Sequence, residues 1–183
     1  MKEYKLPIGC DVPETIILAD GDFPSHPLAL EWLRQCPYVV CCDGAANTYI
    51  RSGRMPEAIV GDGDSLLPDI KERYASLIHS EAEQETNDLS KAFRFCLSQE
   101  RKRITIMGAT GKREDHTIGN VSLLADYMEQ AEVSMMTDYG IFVPIREDSM
   151  FESYIGQQIS VFNMNSTALS AEGLAYILSE FTN

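Results

Sequence analysis

The sequence predicts an α/β protein in two parts: a mostly parallel sheet flanked by helices, then a small antiparallel β unit. Up to residue 138, short apolar runs alternate with helix-length segments, and several runs end directly in Asp or Gly, as in Ala19-Asp20-Gly21. Such alternation is typical of right-handed βαβ crossovers between parallel strands. After residue 138, strand-like segments follow one another without a strong helix between them, which predicts the second part.

The elements of the first part follow from this pattern. The predicted strands are Thr15–Ala19, Tyr38–Cys42, Ala58–Val60, Leu77–His79 and Ile104–Met107. The predicted helices are Pro27–Gln35, Ala45–Arg51, Asp69–Ser76, Asp88–Leu97 and His116–Met128. Ligands of open parallel sheets bind beyond the carboxyl ends of the strands. The acidic residues of this sequence follow those ends, so we expect the functional site there.

The second part is predicted to form four short strands, Ile141–Ile145, Met150–Tyr154, Gln158–Phe162 and Leu174–Leu178. So thin a layer needs a partner surface for its apolar face. Large apolar residues at and after the boundary are expected in the core or in a subunit contact: Met135, Met136, Phe142, Phe151, Tyr154, Phe162 and Met164. We therefore expect two domains, 1–138 and 139–183, and a homodimer.

Charge and composition exclude several classes of function. The 183 residues include 15 Lys and Arg against 28 Asp and Glu, which gives a formal net charge of −13. An acidic surface disfavours nucleic acids and anionic membranes as partners. The sequence has no apolar run of the roughly 18 residues that suggest a membrane-spanning helix, and its N-terminus lacks the apolar core of a signal peptide. Its five cysteines include no CxxC pair, so we expect a cytoplasmic protein with reduced thiols.

Four segments at predicted strand ends or helix starts contain the candidate chemistry: Asp43–Asn47, Gly61–Ser65, Gln84–Asp88 and Gly108–His116. The sheet would bring four of their carboxylates to one edge, namely Asp43, Asp62, Asp64 and Asp88. Carboxylates held close together repel one another unless a cation or protons neutralise them. Such oxygen ligands suit Mg²⁺ that also binds a polyphosphate. The alternative for each residue is a helix N-cap, for which Asp88 is the clearest candidate.

The segment Gly108-Ala-Thr-Gly111 lies between a predicted strand and a predicted helix. Glycines let backbone N–H groups approach an anion, and a helix N-terminus adds a favourable dipole. Lys112 and Arg113 follow and are placed to hold phosphate oxygens. The spacing is not that of a Walker A motif. A tight turn with a solvated basic pair explains the same residues, and Asp115-His116 can be interpreted as a helix cap.

Taken in order, five segments of the chain resemble the thiamine pyrophosphokinase family: Cys42–Asn47, Ile59–Ser65, Gln84–Lys91, Gly108–Asn120 and Ser170–Leu178. The resemblance implies transfer of a pyrophosphoryl group from ATP to the hydroxyl group of thiamine, giving thiamine diphosphate and AMP. It also implies an α/β nucleotide-binding domain followed by a β-sandwich domain for thiamine binding and dimerisation.

The resemblance further implies roles for individual residues. The metal and phosphate cluster is Asp43, Asp62, Asp64 and Asp88. The positions near ATP are Gln84, Lys91, Thr110 and Arg113, together with Gly108 and Gly111 of the loop. The thiamine positions are Asp115, Ser170 and Tyr176. The sequence departs from the family pattern at Asn87, where Thr is usual, and at Tyr176, where Trp is frequent. It also ends soon after the last motif, where the family normally continues with further strands.

Three other functions are compatible with the same residues. A pyrophosphokinase acting on another alcohol, such as a hydroxymethyl pterin, would share the ATP and metal half. A non-catalytic nucleotide sensor would bind ATP without forming AMP, and a metal-dependent phosphohydrolase would need no alcohol acceptor. For the transfer itself, Asp64 and Asp88 are both candidates to accept the hydroxyl proton.

Overall fold

The computed structural model describes residues 1–7, 11–80, 86–164 and 169–176. The strands in these ranges are β1 (Lys2–Tyr4), β2 (Thr15–Leu18), β3 (Val39–Cys42), β4 (Ala58–Gly61), β5 (Ile78–Ser80), β6 (Arg103–Met107), β7 (Glu132–Met136), β8 (Ile141–Phe142) and β9 (Ser149–Phe151). The helices are α1 (Pro27–Gln35), α2 (Ala45–Arg51), α3 (Pro68–Arg73), α4 (Asp88–Ser98) and α5 (Glu114–Tyr127). A 3₁₀ turn spans Ala75–Leu77.

Seven of the described strands form one sheet, in the order β5-β4-β3-β2-β6-β7-β8. All neighbours are parallel except β7 and β8, which pair antiparallel. Every residue of β2, β3 and β4 is buried, because helices cover both faces of a parallel sheet. The predicted fold class, a mostly parallel α/β sheet with a small antiparallel β region, is confirmed.

Two apolar clusters hold the helices against the sheet. On one face, Ile17 and Val40 belong to a cluster with Phe93 of α4 and Leu124 of α5. On the other face, Ile16 belongs to a cluster that includes residues of α1, α2 and α3. Because successive strand residues point to opposite faces, adjacent residues of β2 contribute to different clusters.

The strand order reverses beside β2. The chain runs outward from β2 through β3, β4 and β5, and then returns to place β6 and β7 on the other side of β2. In open α/β sheets, the crevice at such a reversal is where ligands bind. The loops that leave β2 and β6 therefore flank the expected binding site.

The helices agree closely with the sequence prediction. α1 and α2 have the predicted bounds, whereas α5 begins at Glu114, before the expected His116. The predicted helix Asp69–Ser76 is split, because α3 ends at Arg73 and a 3₁₀ turn follows. Among the described ranges, no helix combines the length and the apolar character needed to cross a membrane.

Strand β7 was not indicated by the sequence pattern. Its sequence is Glu-Val-Ser-Met-Met, and Met135 and Met136 are buried in the core. The segment lacks the run of β-branched and aromatic residues that is typical of a strand. It becomes a strand because five of its residues pair in parallel with β6.

The C-terminal strands differ most from prediction. The segment Ile141–Ile145 is shortened to β8, which joins the main sheet, and β9 pairs in parallel with β1. Within the described residues, 158–162 form no strand, and neither do 174–176; residues 177 and 178 of the last predicted strand lie outside the description. Phe162 is 75% exposed. An apolar layer with no surface to cover it gains little from forming a sheet.

Candidate active site

Asp43 lies at the carboxyl end of β3 and is the most buried carboxylate of the predicted cluster, at 3% exposure. Its Oδ2 accepts a hydrogen bond from the Ser65 N–H at 3.0 Å. Its Oδ1 is buried and has no hydrogen-bond partner among the described residues. Burial raises the pKa of Asp43, and the charges of Asp88 and Asp62 raise it further, against the Ser65 hydrogen bond. This carboxylate therefore lacks one partner that water or a cation would supply.

The loop after β4 brings Asp62 beside Asp43. Gly61 has φ +154°, and a Cβ there would lie 2.8 Å from the Asp43 Cβ, so only glycine permits this approach. Asp62 Oδ1 accepts a hydrogen bond from the Asp64 N–H at 3.1 Å. Lys71 Nζ donates to the Gly63 carbonyl at 2.8 Å. Asp62 and Asp64 are both exposed, so the loop presents two carboxylates to solvent at the sheet edge.

Asn47 fixes this loop to α2. Its Nδ2 donates to the Ser65 carbonyl at 2.8 Å, and its Oδ1 accepts from the Leu67 N–H at 3.0 Å. An amide side chain can make both bonds at once because it has a donor and an acceptor. The segment Asp43–Asn47 therefore holds the Asp62 loop from two sides.

The start of α4 excludes the alternative interpretation of Asp88 as a helix cap. The N-cap is Asn87, whose Oδ1 accepts from the Ser90 N–H at 2.9 Å, and Asp88 is the first helical residue. Asp88 is therefore not the cap. Its Oδ1 lies 3.2 Å from Nζ of Lys91, a lysine only 4% exposed. The start of α4 therefore places the positive charge of Lys91 and the negative charge of Asp88 side by side at the carboxyl edge of the sheet.

The loop after β6 packs closely on the loop after β2. Gly108 has φ +65°, and a Cβ there would lie 2.6 Å from the Ala19 carbonyl oxygen. The Gly21 N–H donates to the Gly108 carbonyl at 2.6 Å, and the Asp22 N–H donates to the Thr110 carbonyl at 2.8 Å. Since the approach of two backbones excludes side chains, glycine is required at these turns.

Charged residues follow this loop. Lys112 has φ +58°, and its Nζ contacts both Oδ1 and the carbonyl of Asp20, at 3.1 and 3.0 Å. Arg113 and Asp115 form a bidentate ion pair, with Nη2 to Oδ2 at 2.5 Å and Nε to Oδ1 at 3.1 Å. The hydrogen bond from Arg113 lowers the pKa of Asp115. Both side chains are more than 60% exposed, so the pair is open to exchange with a ligand.

The helix-cap interpretation of Asp115-His116 is wrong. α5 begins at Glu114, and its N-cap position is Arg113, which makes no side-chain capping bond. Asp115 and His116 therefore lie within the first turn. An open pocket of about 350 Å³ adjoins this turn. It is lined by Gly111, Lys112, Arg113, Glu114, Thr117 and Ile118.

Asp20 contacts both the loop after β6, through Lys112, and the start of α2, at Gly44. Beyond its contact with Lys112, its Oδ2 lies so close to Gly44 that a Cβ there would be 2.5 Å away. Asp20 follows a predicted strand but was not among the predicted site residues. Its position directly after β2 was the available signal, because β2 adjoins the reversal of strand order.

Some of the predicted site residues remain outside this arrangement. Gln84 lies outside the described residues. Ser170 and Tyr176 are described and exposed, and Tyr176 is 88% exposed. The structure thus brings the metal and phosphate candidates to the sheet edge, whereas the ring of Tyr176 remains uncovered by the described chain.

The residues at this edge fit a bound Mg²⁺ in one specific way. Within the described ranges, no three His, Cys, Asp or Glu side chains are grouped so that they could hold a metal ion by themselves. Mg²⁺ usually keeps several waters and binds through one or two carboxylates together with substrate phosphates. The unpartnered Oδ1 of Asp43, with Asp62 and Asp88 nearby, suits that mode of binding and does not suit an all-protein cage.

Comparison with known families assigns both parts of the chain. Residues 29–136 match the family model described as the catalytic domain of thiamin pyrophosphokinase. Residues 140–183 match the model described as the substrate-binding domain of thiamin pyrophosphokinase. The first match alone spans more than half of the chain.

Individual proteins agree with this assignment. Thiamine pyrophosphokinase 1 of Oryza sativa subsp. japonica is 30% identical over 129 residues, covering 57% of this chain and 49% of the relative. Thiamine pyrophosphokinase of Bacillus subtilis (strain 168) is 34% identical over 86 residues, covering 45% of this chain and 40% of the relative. The chain spans about half the length of the curated relatives it matches.

Solved structures share the fold. Thiamin pyrophosphokinase from Geobacillus thermodenitrificans superposes with a TM-score of 0.54 at 27% identity, covering 67% of this chain and 58% of the other. The yeast enzyme of the same name gives a TM-score of 0.59 at 19% identity, covering 74% and 63%. The fold, the ordered motifs and both domain matches agree, and the chain belongs to the thiamin pyrophosphokinase family.

Proposed function

We propose that this protein transfers a pyrophosphoryl group from ATP to the hydroxyl group of thiamine, giving thiamine diphosphate and AMP. The observation that carries the proposal is the buried Asp43 Oδ1, which has no described partner and lies near two further carboxylates at the carboxyl edge of the sheet. Membership of the family named for this reaction supports the choice of substrates.

Mg²⁺ would be held by substrate phosphate oxygens and waters together with one or two carboxylates from the set Asp43, Asp62, Asp64 and Asp88. A bound Mg²⁺ supplies positive charge that neutralises the triphosphate. The raised pKa of Asp43 supports this assignment, because a cation would offset both the burial and the repulsion from Asp62 and Asp88 that disfavour its charged form.

The nucleotide would lie across the reversal of strand order. The turn Gly108–Gly111, with Thr110, would present backbone N–H groups to phosphate oxygens. The ammonium group of Lys91 and the guanidinium group of Arg113 would hold further phosphate oxygens. Gln84 is proposed as a nucleotide contact on the family resemblance alone.

In the transfer, the thiamine hydroxyl oxygen bonds to the β-phosphorus, and the bond from that phosphorus to the α–β bridging oxygen breaks. AMP leaves with the electron pair of that bond, and the hydroxyl proton passes to a carboxylate. Lys91 already engages one oxygen of Asp88, which favours Asp64 as the acceptor of the proton. Most of the rate would come from positioning and charge stabilisation.

Thiamine would bind through Asp115, Ser170 and Tyr176, with the uncovered ring of Tyr176 stacking on the substrate. We also propose that the chain divides at residues 138 and 139 and that a second copy covers the C-terminal part. Phe162 and Ile155 are 75% and 105% exposed, which supports such a contact. A net charge of −13 would attract cationic thiamine. The cytoplasmic location remains a prediction.

The test is to incubate the protein with ATP and Mg²⁺ in three parallel reactions, one with thiamine, one with a hydroxymethyl pterin and one with no acceptor. AMP and thiamine diphosphate are measured in each reaction. We expect AMP only with thiamine, and we expect Asp62→Asn to lower the rate about 10²–10³-fold. Asp126→Asn, a change to an exposed carboxylate near the other end of α5, should act as wild type.

Other outcomes would point to the alternatives. AMP formed with the pterin only would identify another alcohol as the acceptor, and AMP formed without any acceptor would indicate a hydrolase. Nucleotide binding without AMP formation would indicate a sensor. Equal rates for wild type and Asp62→Asn would contradict the assignment of the carboxylate edge.

A further inference from the structure

A chain of side-chain amides connects the two loops that would hold the nucleotide. Asn120, in α5 and only 8% exposed, donates from Nδ2 to the Ala109 carbonyl at 2.8 Å. Its Oδ1 accepts from Asn87 Nδ2 at 3.2 Å. Asn87 in turn caps α4 by accepting from the Ser90 N–H at 2.9 Å. The chain runs from the loop after β6 to the first turn of α4.

The direction of every hydrogen bond in this chain follows from its first member. The Ala109 carbonyl can only accept, so Asn120 must present its Nδ2 to it. The Asn120 Oδ1 then faces Asn87, which must present its own Nδ2. That leaves the Asn87 Oδ1 to accept from Ser90. Asn87 therefore needs both a donor and an acceptor, and its amide supplies them from two separate atoms, Nδ2 and Oδ1.

Within the part of the chain that the structure describes, further hydrogen bonds tie the β6 loop to the loop after β2. The Gly21 and Asp22 N–H groups bind its backbone, and Lys112 contacts Asp20. The amide chain runs from the loop in a different direction, toward the helix that carries Asp88 and Lys91. Because a bound triphosphate would contact both elements at once, their relative placement determines how well it fits.

We propose that Asn87 and Asn120 are positioning residues that hold the Gly108–Arg113 loop at the correct distance from Asp88 and Lys91 for nucleotide binding. This inference rests on the proposed function, since it assumes that the nucleotide spans these two elements. Neither asparagine is proposed to contact the reacting atoms. Their effect is exerted through Ala109 and through the N-terminus of α4.

The test separates the bridge from the cap at position 87. Asp and Ser are both good N-caps, but an Asp carboxylate cannot donate to Asn120, and a Ser side chain is too short to reach it. Asn87→Asp and Asn87→Ser therefore keep the cap and remove the bridge, whereas Asn87→Ala removes both. Asp adds a negative charge and Ser does not. If the two variants bind the nucleotide with the same affinity, the added charge is not the cause of the change in affinity.

The measurement is the affinity for an ATP analogue with a methylene group between the α and β phosphates, in Mg²⁺, together with thermal unfolding. We expect Asn87→Asp and Asn87→Ser each to weaken binding by about 3- to 10-fold while Tm stays near that of wild type. In turnover, KM for ATP should rise by a similar factor while KM for thiamine remains unchanged. Asn87→Ala should weaken binding equally and also lower Tm.

Two results would overturn the inference. The first is an affinity of the Asn87→Asp and Asn87→Ser variants for the analogue that lies within twofold of the wild-type affinity. The second is weakened binding in Asn87→Ala alone, because that result would assign the effect to the lost helix cap. Wild-type protein that fails to bind the analogue would contradict the proposed function itself, and this inference with it. Asp126→Asn provides the control for both measurements.

Discussion

The described parts of residues 15–136 and 139–176 differ in how far they bury their large apolar side chains. In the first region, Phe93 is 1% exposed and stacks on Tyr127 with ring centroids 3.9 Å apart. In the second region, Tyr154 and Phe162 are 64% and 75% exposed. Both regions are rich in large apolar residues. Among the described residues, the first region encloses most of its large apolar side chains, whereas the second leaves several of them exposed.

This difference distinguishes a region that folds on itself from one that requires another surface. Helices pack on both faces of the sheet in the first region, and Asp43 lies at the carboxyl end of one of its buried strands. The second region contributes β8 to that sheet and β9 to a pair with β1. Several of its other large apolar side chains, among them Tyr154, Ile155 and Phe162, are mostly exposed, which is consistent with the proposed subunit contact.

The largest expected effect is on the free energy of unfolding, when a phenylalanine is replaced by alanine in each of the two regions. Phe93→Ala should lower the free energy of unfolding by about 3–5 kcal/mol, because it leaves a cavity in a closed core. Phe162→Ala should change it by less than about 0.5 kcal/mol in the monomer. Urea unfolding followed by circular dichroism at low protein concentration measures both.

The same pair of variants tests the subunit contact. Phe162→Ala should raise the dissociation constant of the dimer by about 10-fold or more, as expected for an aromatic residue within an interface. Sedimentation at several concentrations measures that constant. A wild-type protein that is monomeric at micromolar concentration would contradict the dimer, and strong destabilisation of the monomer by Phe162→Ala would contradict the contrast between the regions.

A smaller effect is expected from the pH dependence of Asp43→Asn. The folded state raises the pKa of Asp43 above that of an unfolded aspartate, chiefly by burial, so ionisation of this group opposes folding at neutral pH. Asn tolerates the φ of +31° found here. The variant should therefore be more stable than wild type at pH 7, with a higher Tm.

The stability difference between Asp43→Asn and wild type should shrink as pH falls. It should begin to narrow below the raised pKa of Asp43 and be nearly absent below the ordinary aspartate value, where wild type is protonated in both states. Thermal melts of both proteins across this range measure it. A variant less stable than wild type at pH 7 would mean that the carboxylate is satisfied in the folded protein.

Much of the fold could be predicted from the sequence because buried parallel strands are read directly as apolar runs. The bounds of α1 and α2 follow from sequence pattern alone. β7 could not be predicted, because Met135 and Met136 have weak strand preference and the parallel pairing with β6 imposes the conformation. The C-terminal strands were overpredicted, because local alternation says nothing about whether a covering surface exists.

The site was predictable at the level of which loops meet, since the carboxyl ends of parallel strands share one edge. The partners within it were not. The pairing of Asn87 with Asn120 and of Lys112 with Asp20 joins residues distant in sequence, and no spacing rule connects them. The alternative interpretation of Asp88 as the α4 cap was wrong because Asn87, one residue earlier, offers an equally good capping oxygen.

The most direct test of the central claim, that the carboxylate edge binds nucleotide together with Mg²⁺, is calorimetric titration with the methylene-bridged ATP analogue. The analogue should bind wild type at least about 10-fold more tightly in Mg²⁺ than in EDTA, and Asp43→Asn should lose most of that difference. Asp126→Asn should behave as wild type. Equal affinity in Mg²⁺ and EDTA for wild type, or an unchanged Mg²⁺ dependence in Asp43→Asn, would contradict the account.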